Sequence, residues 1–389
     1  MRHLATNFRR LLGLVAPAVI IGLAGCSSND IVEQPAPVPD ISASVALDSV
    51  WSMRVGDGHD EQFLSLTPLN TGDMLYAVSA DGELVAVAPD NGKVAWEREL
   101  KRDILAGVGG DGRQLYVVTR NARLLALSRD EGKVMWEAAL PNEVIAAPQS
   151  NGNVVVAQTT DGKVLAFDTS SGEKRWQFDG VVPVLTLRMT APPLVGTEFT
   201  LVSFANGRLV ALSSANGQPL WQYAVGEPQG RTELERLVDV TSRPLILETA
   251  ALVVGYQGKL ALVDLRNGQE IWSRKASSLH SPMVGDGKIY LSSANGDIVA
   301  YDGNSRREVW TRDELAWRQP SQPVVLGDYL LVGDFEGYIH VLSTEDGSLQ
   351  GQLEFDDEGL RVPMQVLGDS VLVYGNSGRL AVLELKQRD

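Results

Sequence analysis

The sequence predicts an all-β protein, an eight-bladed β-propeller whose four-stranded antiparallel blades form a ring closed by the N-terminal strand pairing into the last blade. Three observations predict it. One unit of about 40 residues recurs along the chain, the size of a propeller blade. Each unit carries a tight turn and, fifteen positions later, a Trp or the place of one. The last unit stops before its Trp, while a Trp-bearing strand with no unit before it stands at the start.

Aligned on the turn residue, the units are DGELVAVAPDNGKVAW (81–96), NARLLALSRDEGKVMW (121–136), DGKVLAFDTSSGEKRW (161–176), NGRLVALSSANGQPLW (206–221), QGKLALVDLRNGQEIW (257–272) and NGDIVAYDGNSRREVW (295–310). A seventh, EGYIHVLSTEDGSLQG (336–351), has Gly351 in the Trp position, and the eighth is SGRLAVLELK (377–386). Asp-Gly and Asn-Gly supply the positive φ angles that a two-residue hairpin demands. The flanking runs are short, apolar and rich in Val and Leu, as buried strands are. Most units are preceded by a proline-marked strand, at Pro68, Pro148, Pro192, Pro244, Pro282, Pro323 and Pro363. In each blade the strands are A (with the Pro), B, C (after the glycine turn) and D (with the Trp). The recurrent indoles are expected to pack between neighbouring blades, where their large area is removed from water. Trp51, in DSVWSMRV, is expected to complete the eighth blade.

Ahead of the ring the chain reads as an address. Arg2, Arg9 and Arg10 precede an apolar run, Leu11 to Leu23, of signal-peptide length. The run is too short for a transmembrane helix, which needs about 20 apolar residues. It ends in Leu23-Ala24-Gly25-Cys26, which resembles a bacterial lipobox, and Cys26 is the only cysteine in the chain. We therefore expect a leader over 1–25, a lipidated Cys26, and a Pro- and Ser-rich tether over 26–45 ahead of a propeller at 46–389. Three acyl chains would hold the protein firmly, since one alone binds marginally. Ser27 stands where an Asp would retain the lipoprotein in the inner membrane, so the expected location is the outer membrane, facing the periplasm.

The formal net charge of −15 makes a nucleic-acid partner a poor fit, and it becomes more negative once the leader's three arginines are removed. The histidines His59, His280 and His340 are scattered, and no compact metal-ligand spacing, nucleophile elbow or phosphate loop is present. Gly107-Val-Gly-Gly-Asp-Gly112 precedes strand B rather than a helix and reads as a hairpin turn. No catalytic group, metal or cofactor is expected.

The irregularity of the repeat is localised. The interval from the Trp to the next strand A proline is 12 from Trp136 and 10 from Trp272, but 16 from Trp176 and 23 from Trp221. The two enlarged D→A loops, roughly 179–191 and 224–243, belong to consecutive blades and should lie side by side. Loops that grow on a rigid scaffold are a common place for function. They mix apolar and charged side chains: Val181, Val182, Leu185, Leu187 and Arg188 in the first, and Glu233, Leu234, Glu235, Arg236, Leu237 and Asp239 in the second.

The repeat resembles the PQQ-type propeller repeat. Two families use it: quinoprotein dehydrogenases, which bind PQQ and Ca²⁺, and the BamB lipoproteins of the β-barrel assembly machinery. The chain resembles the BamB family over its whole length. Leu185-Thr-Leu-Arg188 followed by Ala191-Pro192 is similar to the family's LxLRG-x-SAP segment, and Thr232 to Val240 to its TE-[IL]-[DE]-RLxDVD segment. The resemblance implies a non-enzymatic scaffold that binds BamA and aids the folding and insertion of outer-membrane barrels. It assigns Leu185, Leu187, Arg188 and Asp239 to the partner-binding surface, a small apolar anchor with a polar rim. Arg188 is expected to pair with Asp239 or to reach the partner. Strand addition of unfolded outer-membrane proteins to a blade edge is a second conceivable role, on which no residue of the sequence bears. Two departures stand out: Met189 replaces the family's Gly, and Thr241 its second Asp. A small quinoprotein dehydrogenase, or a generic periplasmic scaffold or ligand-binding propeller, are the competing readings.

Overall fold

The computed structural model describes residues 33–59 and 64–388; the expected leader and Cys26 lie outside them. Among the described residues there are thirty-two strands and no helix. The strands form eight four-stranded antiparallel sheets. Blades 1 to 7 are consecutive in the chain, over 69–99, 104–139, 149–179, 194–224, 245–276, 283–312 and 324–354. Blade 8 takes strands A to C from 365–387 and strand D from Val45–Arg54. That N-terminal strand runs antiparallel to Arg379–Gln387, from Val45 opposite Gln387 to Arg54 opposite Arg379, with Trp51 opposite Val382. The ring is closed as expected.

The core follows from the residue pattern. Strands B and C are Val- and Leu-rich on both faces, and nearly every side chain is buried, because each blade is covered by a neighbour on either side. Strand D is outermost and alternates between buried and exposed positions. The A strands of successive blades touch one another around the axis. Most are only two or three residues long, and the proline before them removes an N–H that the ladder does not need.

The indoles lock most blades to the next. The ring N–H of Trp96 donates to Arg129 O, of Trp136 to Thr169 O, of Trp176 to Ser214 O and of Trp221 to Leu265 O, each on the C→D turn of the following blade. Trp51 does the same to Pro89 O and so joins blade 8 to blade 1. The turn glycine lies flat on the indole: a Cβ at Gly172 would stand 2.6 Å from Trp136, and one at Gly92 2.6 Å from Trp51. These glycines are in the left-handed region, Gly172 at φ 72°, so both the turn and the close approach require them. Blade 6 departs: its turn has Arg306 at φ 60° in place of the glycine, and the guanidinium lies over Trp272 at 5.3 Å.

Two sequence expectations are corrected. The B→C turns are not two-residue hairpins. They are loops of three to five residues, most of them four, such as Ser79–Gly82, closed by Ser79 N–H to Glu83 O with one residue at positive φ, Gly82. A single left-handed glycine after an ordinary turn satisfies this longer loop. The Gly-rich segment 107–112 is mainly strand, within Ile104–Gly110, and only its end turns. A Cβ on Gly109 would fall 1.6 Å from Pro148 O of the next blade, so this A strand is glycine-rich because a neighbouring backbone passes against it.

Candidate functional site

In a blade of four alternating strands, the D→A connections and the B→C turns emerge on one face. The two enlarged loops lie there, between blades 3 and 4 and between blades 4 and 5, and the structure brings them into contact. The first lies across the B→C turn of blade 3: Gly180 N–H donates to Gly162 O at 3.0 Å, and Val182 covers Gly162. The second is pinned by Leu237, Val238 and Val240, all buried, and by a β-bridge between Asp239 and Tyr256. Its outer end is a single turn built as a capping box. Thr232 Oγ1 accepts the Glu235 N–H at 3.1 Å, and Glu235 Oε2 accepts the N–H of Thr232 at 3.1 Å and of Arg231 at 2.6 Å. Those backbone donors hold the Glu235 carboxyl below its ordinary range.

The four loop residues singled out in the sequence fall into different environments. Leu185 is exposed and Leu187 half-buried. Arg188 is exposed, in the left-handed region at φ 52°. Its guanidinium does not meet Asp239; it donates to Glu143 Oε2 at 2.8 Å, in the connection between blades 2 and 3. The pairing expected with Asp239 is thus replaced by one between two consecutive D→A loops. Both partners are substantially solvated, so the ion pair is worth less than about 1 kcal/mol.

Asp239 is only 1% exposed. Its Oδ2 accepts the Leu187 N–H at 3.4 Å, and no donor among the described residues reaches its Oδ1. Burial pushes its carboxyl up to about 7, against smaller opposing effects from the backbone N–H groups of Leu187 and Val240. It lies against a polar cavity of about 30 Å³ between the two loops, which Gln158, Thr186, Arg188 and Ser203 also line. Asp239 therefore supports the first loop from beneath. Thr241, at the second acidic position of the family pattern, is also turned inward and donates to Leu279 O at 2.7 Å.

The first loop presents mainly apolar side chains to solvent, and the second sets Leu234 among the exposed charges of Arg231, Glu233, Glu235 and Arg236. Val184 is fully exposed, with Val181 at 74% and Leu234 at 67%. Sequence reasoning missed Val184, because nothing in a Pro-Val-Leu run says which side chain faces outward. Isolated exposed valines are ordinary on a surface; several on two touching loops are not. Among the described residues no group of His, Cys, Asp and Glu forms a metal-ligand set.

Comparison with known proteins agrees with this architecture. The family described as outer membrane protein assembly factor BamB matches over residues 46–102, 80–312 and 279–389. The chain is 66% identical over 373 residues to the outer membrane protein assembly factor BamB of Marinobacter adhaerens, covering 96% of each. It is 46% identical to that of Pseudomonas aeruginosa over 95% of this chain and 97% of the relative. Among solved structures, BamB from Moraxella catarrhalis superposes with a TM-score of 0.79 at 26% identity, over 87% of this chain and all of that one. A quinohemoprotein alcohol dehydrogenase from Comamonas testosteroni reaches 0.68 at 12% identity, over 87% and 76%, a likeness of fold alone. By these matches the chain belongs to the outer membrane protein assembly factor BamB family.

Proposed function

We propose that the protein is a non-enzymatic assembly factor of the outer membrane. It docks through the two enlarged loops to the barrel-forming subunit BamA of the β-barrel assembly machinery and aids the folding and insertion of barrel proteins. Lipidation at Cys26 holds it on the periplasmic side of that membrane. The observation that carries the docking reading is the apolar surface of Val181, Val184, Leu185 and Leu234 on two loops that brace each other. An apolar centre with Arg188 and Glu143 at its rim is the composition of a small protein-docking site. Leu187 and Asp239 serve the same surface from below, by holding the backbone that displays Leu185 and Arg188. The dehydrogenase reading has only a fold likeness behind it.

The test is co-purification. Val184→Glu combined with Leu185→Glu places two charges on the apolar surface without touching the blades. The variant should melt like the parent and fail to bring down BamA. Undiminished recovery of BamA by this folded variant would reject the site.

A further inference from the structure

The sequence predicts a tether running to residue 45, yet residues 35–44 lie along the ring. From 35 to 44 burial alternates in two stretches that change phase at Pro39: Ala36, Val38, Pro39, Ile41 and Ala43 are half-buried, while Pro35, Pro37, Asp40, Ser42 and Ser44 are exposed. That is the pattern of an extended segment with one side against a surface.

Both ends of the segment are hydrogen-bonded. At one end Ser44 N–H donates to Gln350 O at 2.8 Å, on the outer strand of blade 7, and Ser44 O accepts the N–H of Arg388 at 2.8 Å. At the other end Ala36 N–H donates to Ala316 O at 2.9 Å, and Ala36 O accepts from Arg318 Nη1 at 2.9 Å.

Arg318 makes this a built site. It is 1% exposed; its Nε donates to the buried Asp334 at 2.7 Å and its Nη2 to Glu336 at 2.6 Å. Asp334 is also bonded to His340 Nε2 at 2.9 Å. Burial alone would push the Asp334 carboxyl up, but His340 and Arg318 outweigh it and hold it down. A buried guanidinium needs its donors satisfied, and the segment's carbonyl supplies an acceptor. Gly351, the break in the Trp series, fits the same picture. A Cβ there would stand 2.8 Å from Val45 O, so the entering N-terminal strand occupies the place of a side chain.

The two ends lie on opposite faces of the ring. Ser44 sits at the start of a D strand, on the C→D side, whereas 313–323 is a D→A connection. We propose that residues 35–44 are a strap that carries the N-terminus down the side of blade 7 to the D→A face, so that this face, with the docking loops, is turned toward the membrane. This rests on the reading of Cys26 as the lipid anchor. From Cys26 to Pro35 is nine residues, a reach of at most about 30 Å. The opposite face lies a further strand length away, about 20 Å.

The experiment uses the full lipoprotein in phospholipid vesicles carrying an acceptor dye on the lipid. A donor is attached at Glu314→Cys on the D→A face, or at Asn304→Cys on the C→D turn of the same blade; both residues are exposed. Energy transfer from 314 should exceed that from 304 by about twofold, for a separation of one strand length. The Ala36 amide should exchange with deuterium at least about a hundredfold more slowly than in an unstructured peptide. Ala36→Pro, which removes that donor without altering the blades, should erase the difference in transfer. Equal or reversed transfer in the parent overturns the orientation, and an unprotected Ala36 in acylated protein overturns the strap. The anchor reading fails separately: an intact mass lacking acyl chains at Cys26 would refute it whatever Ala36 does.

Discussion

Replacing Asp239 by Asn should stabilise the protein above neutral pH and leave it unchanged in acid. The carboxyl is buried without a cation, and burial pushes it up to about 7, against an ordinary value of 3.8. Below about pH 4 the folded and unfolded chains both hold the proton, so ionisation costs nothing. Between 4 and 7 the folded chain keeps a proton that the unfolded chain has lost, so stability falls as pH rises. Above 7 the whole penalty is present, about 4 kcal/mol for three pKa units. Asn cannot ionise. Its carbonyl oxygen still accepts the Leu187 N–H, and its NH₂ points a donor into the cavity lined by Gln158, whose Oε1 is also without a donor among the described residues. For a ring of about 340 residues the unfolding entropy is about 0.7 kcal/mol/K, so a gain of 2–4 kcal/mol raises the melting temperature by about 3–6 °C.

The assay is thermal melting of both proteins from pH 4.5 to pH 8.5, read as the difference between them. The difference matters because His59 and His280, each lowered to about 4 by burial, contribute stability that is lost as pH falls from about 6.5 through 4. They are common to both proteins and cancel. The melting-temperature difference should be about a quarter of its full value at pH 4.5 and reach its full value by pH 8. Parallel curves, or a variant less stable at pH 8, would show that Asp239 is ionised and paired in the folded protein, and the account of the loop's support would be wrong.

Three further outcomes follow from the same geometry. Gly172→Ala should cost about 2–3 kcal/mol in urea unfolding, since its Cβ would meet Trp136 at 2.6 Å; Gly152→Ala, at similarly positive φ with open space around it, should cost only about 1 kcal/mol. Equal costs would deny the indole–glycine contact. Removing the chain through Arg54 should abolish cooperative unfolding, because blade 8 loses its outer strand and Trp51 its place on blade 1; cooperative unfolding of the truncated chain would deny the closure. Glu143→Ala should shift stability by less than about 0.5 kcal/mol, the exposed pair with Arg188 being screened. It should nevertheless alter BamA recovery, because Arg188 is then no longer held across the loops; unaltered recovery would remove Arg188 from the docking surface.

Blade number, strand order and closure were legible in the sequence because each depends on local signals repeated at fixed spacing. Glycine turns set where strands end, Val and Leu runs set which are buried, and Trp51 with no unit before it, beside a last unit that lacks its Trp, named the closing strand. The place of the enlarged loops was legible for the same reason, since a fixed repeat exposes any excess between units. Their inner arrangement was not. Whether Asp239 reaches solvent, whether Arg188 meets it or Glu143, and which of Val184, Leu185 and Leu187 points outward all depend on contacts between segments 45 to 52 residues apart, which carry no periodic signal. The same holds for the strap. Its proline-rich composition reads as a free linker, and only the folded ring brings Arg318 to Ala36, 282 residues away in sequence, to hold it. Repeated local chemistry determined the propeller; the burial of single polar groups between blades, which depends on the whole ring being assembled, decided what its loops and its N-terminal segment do.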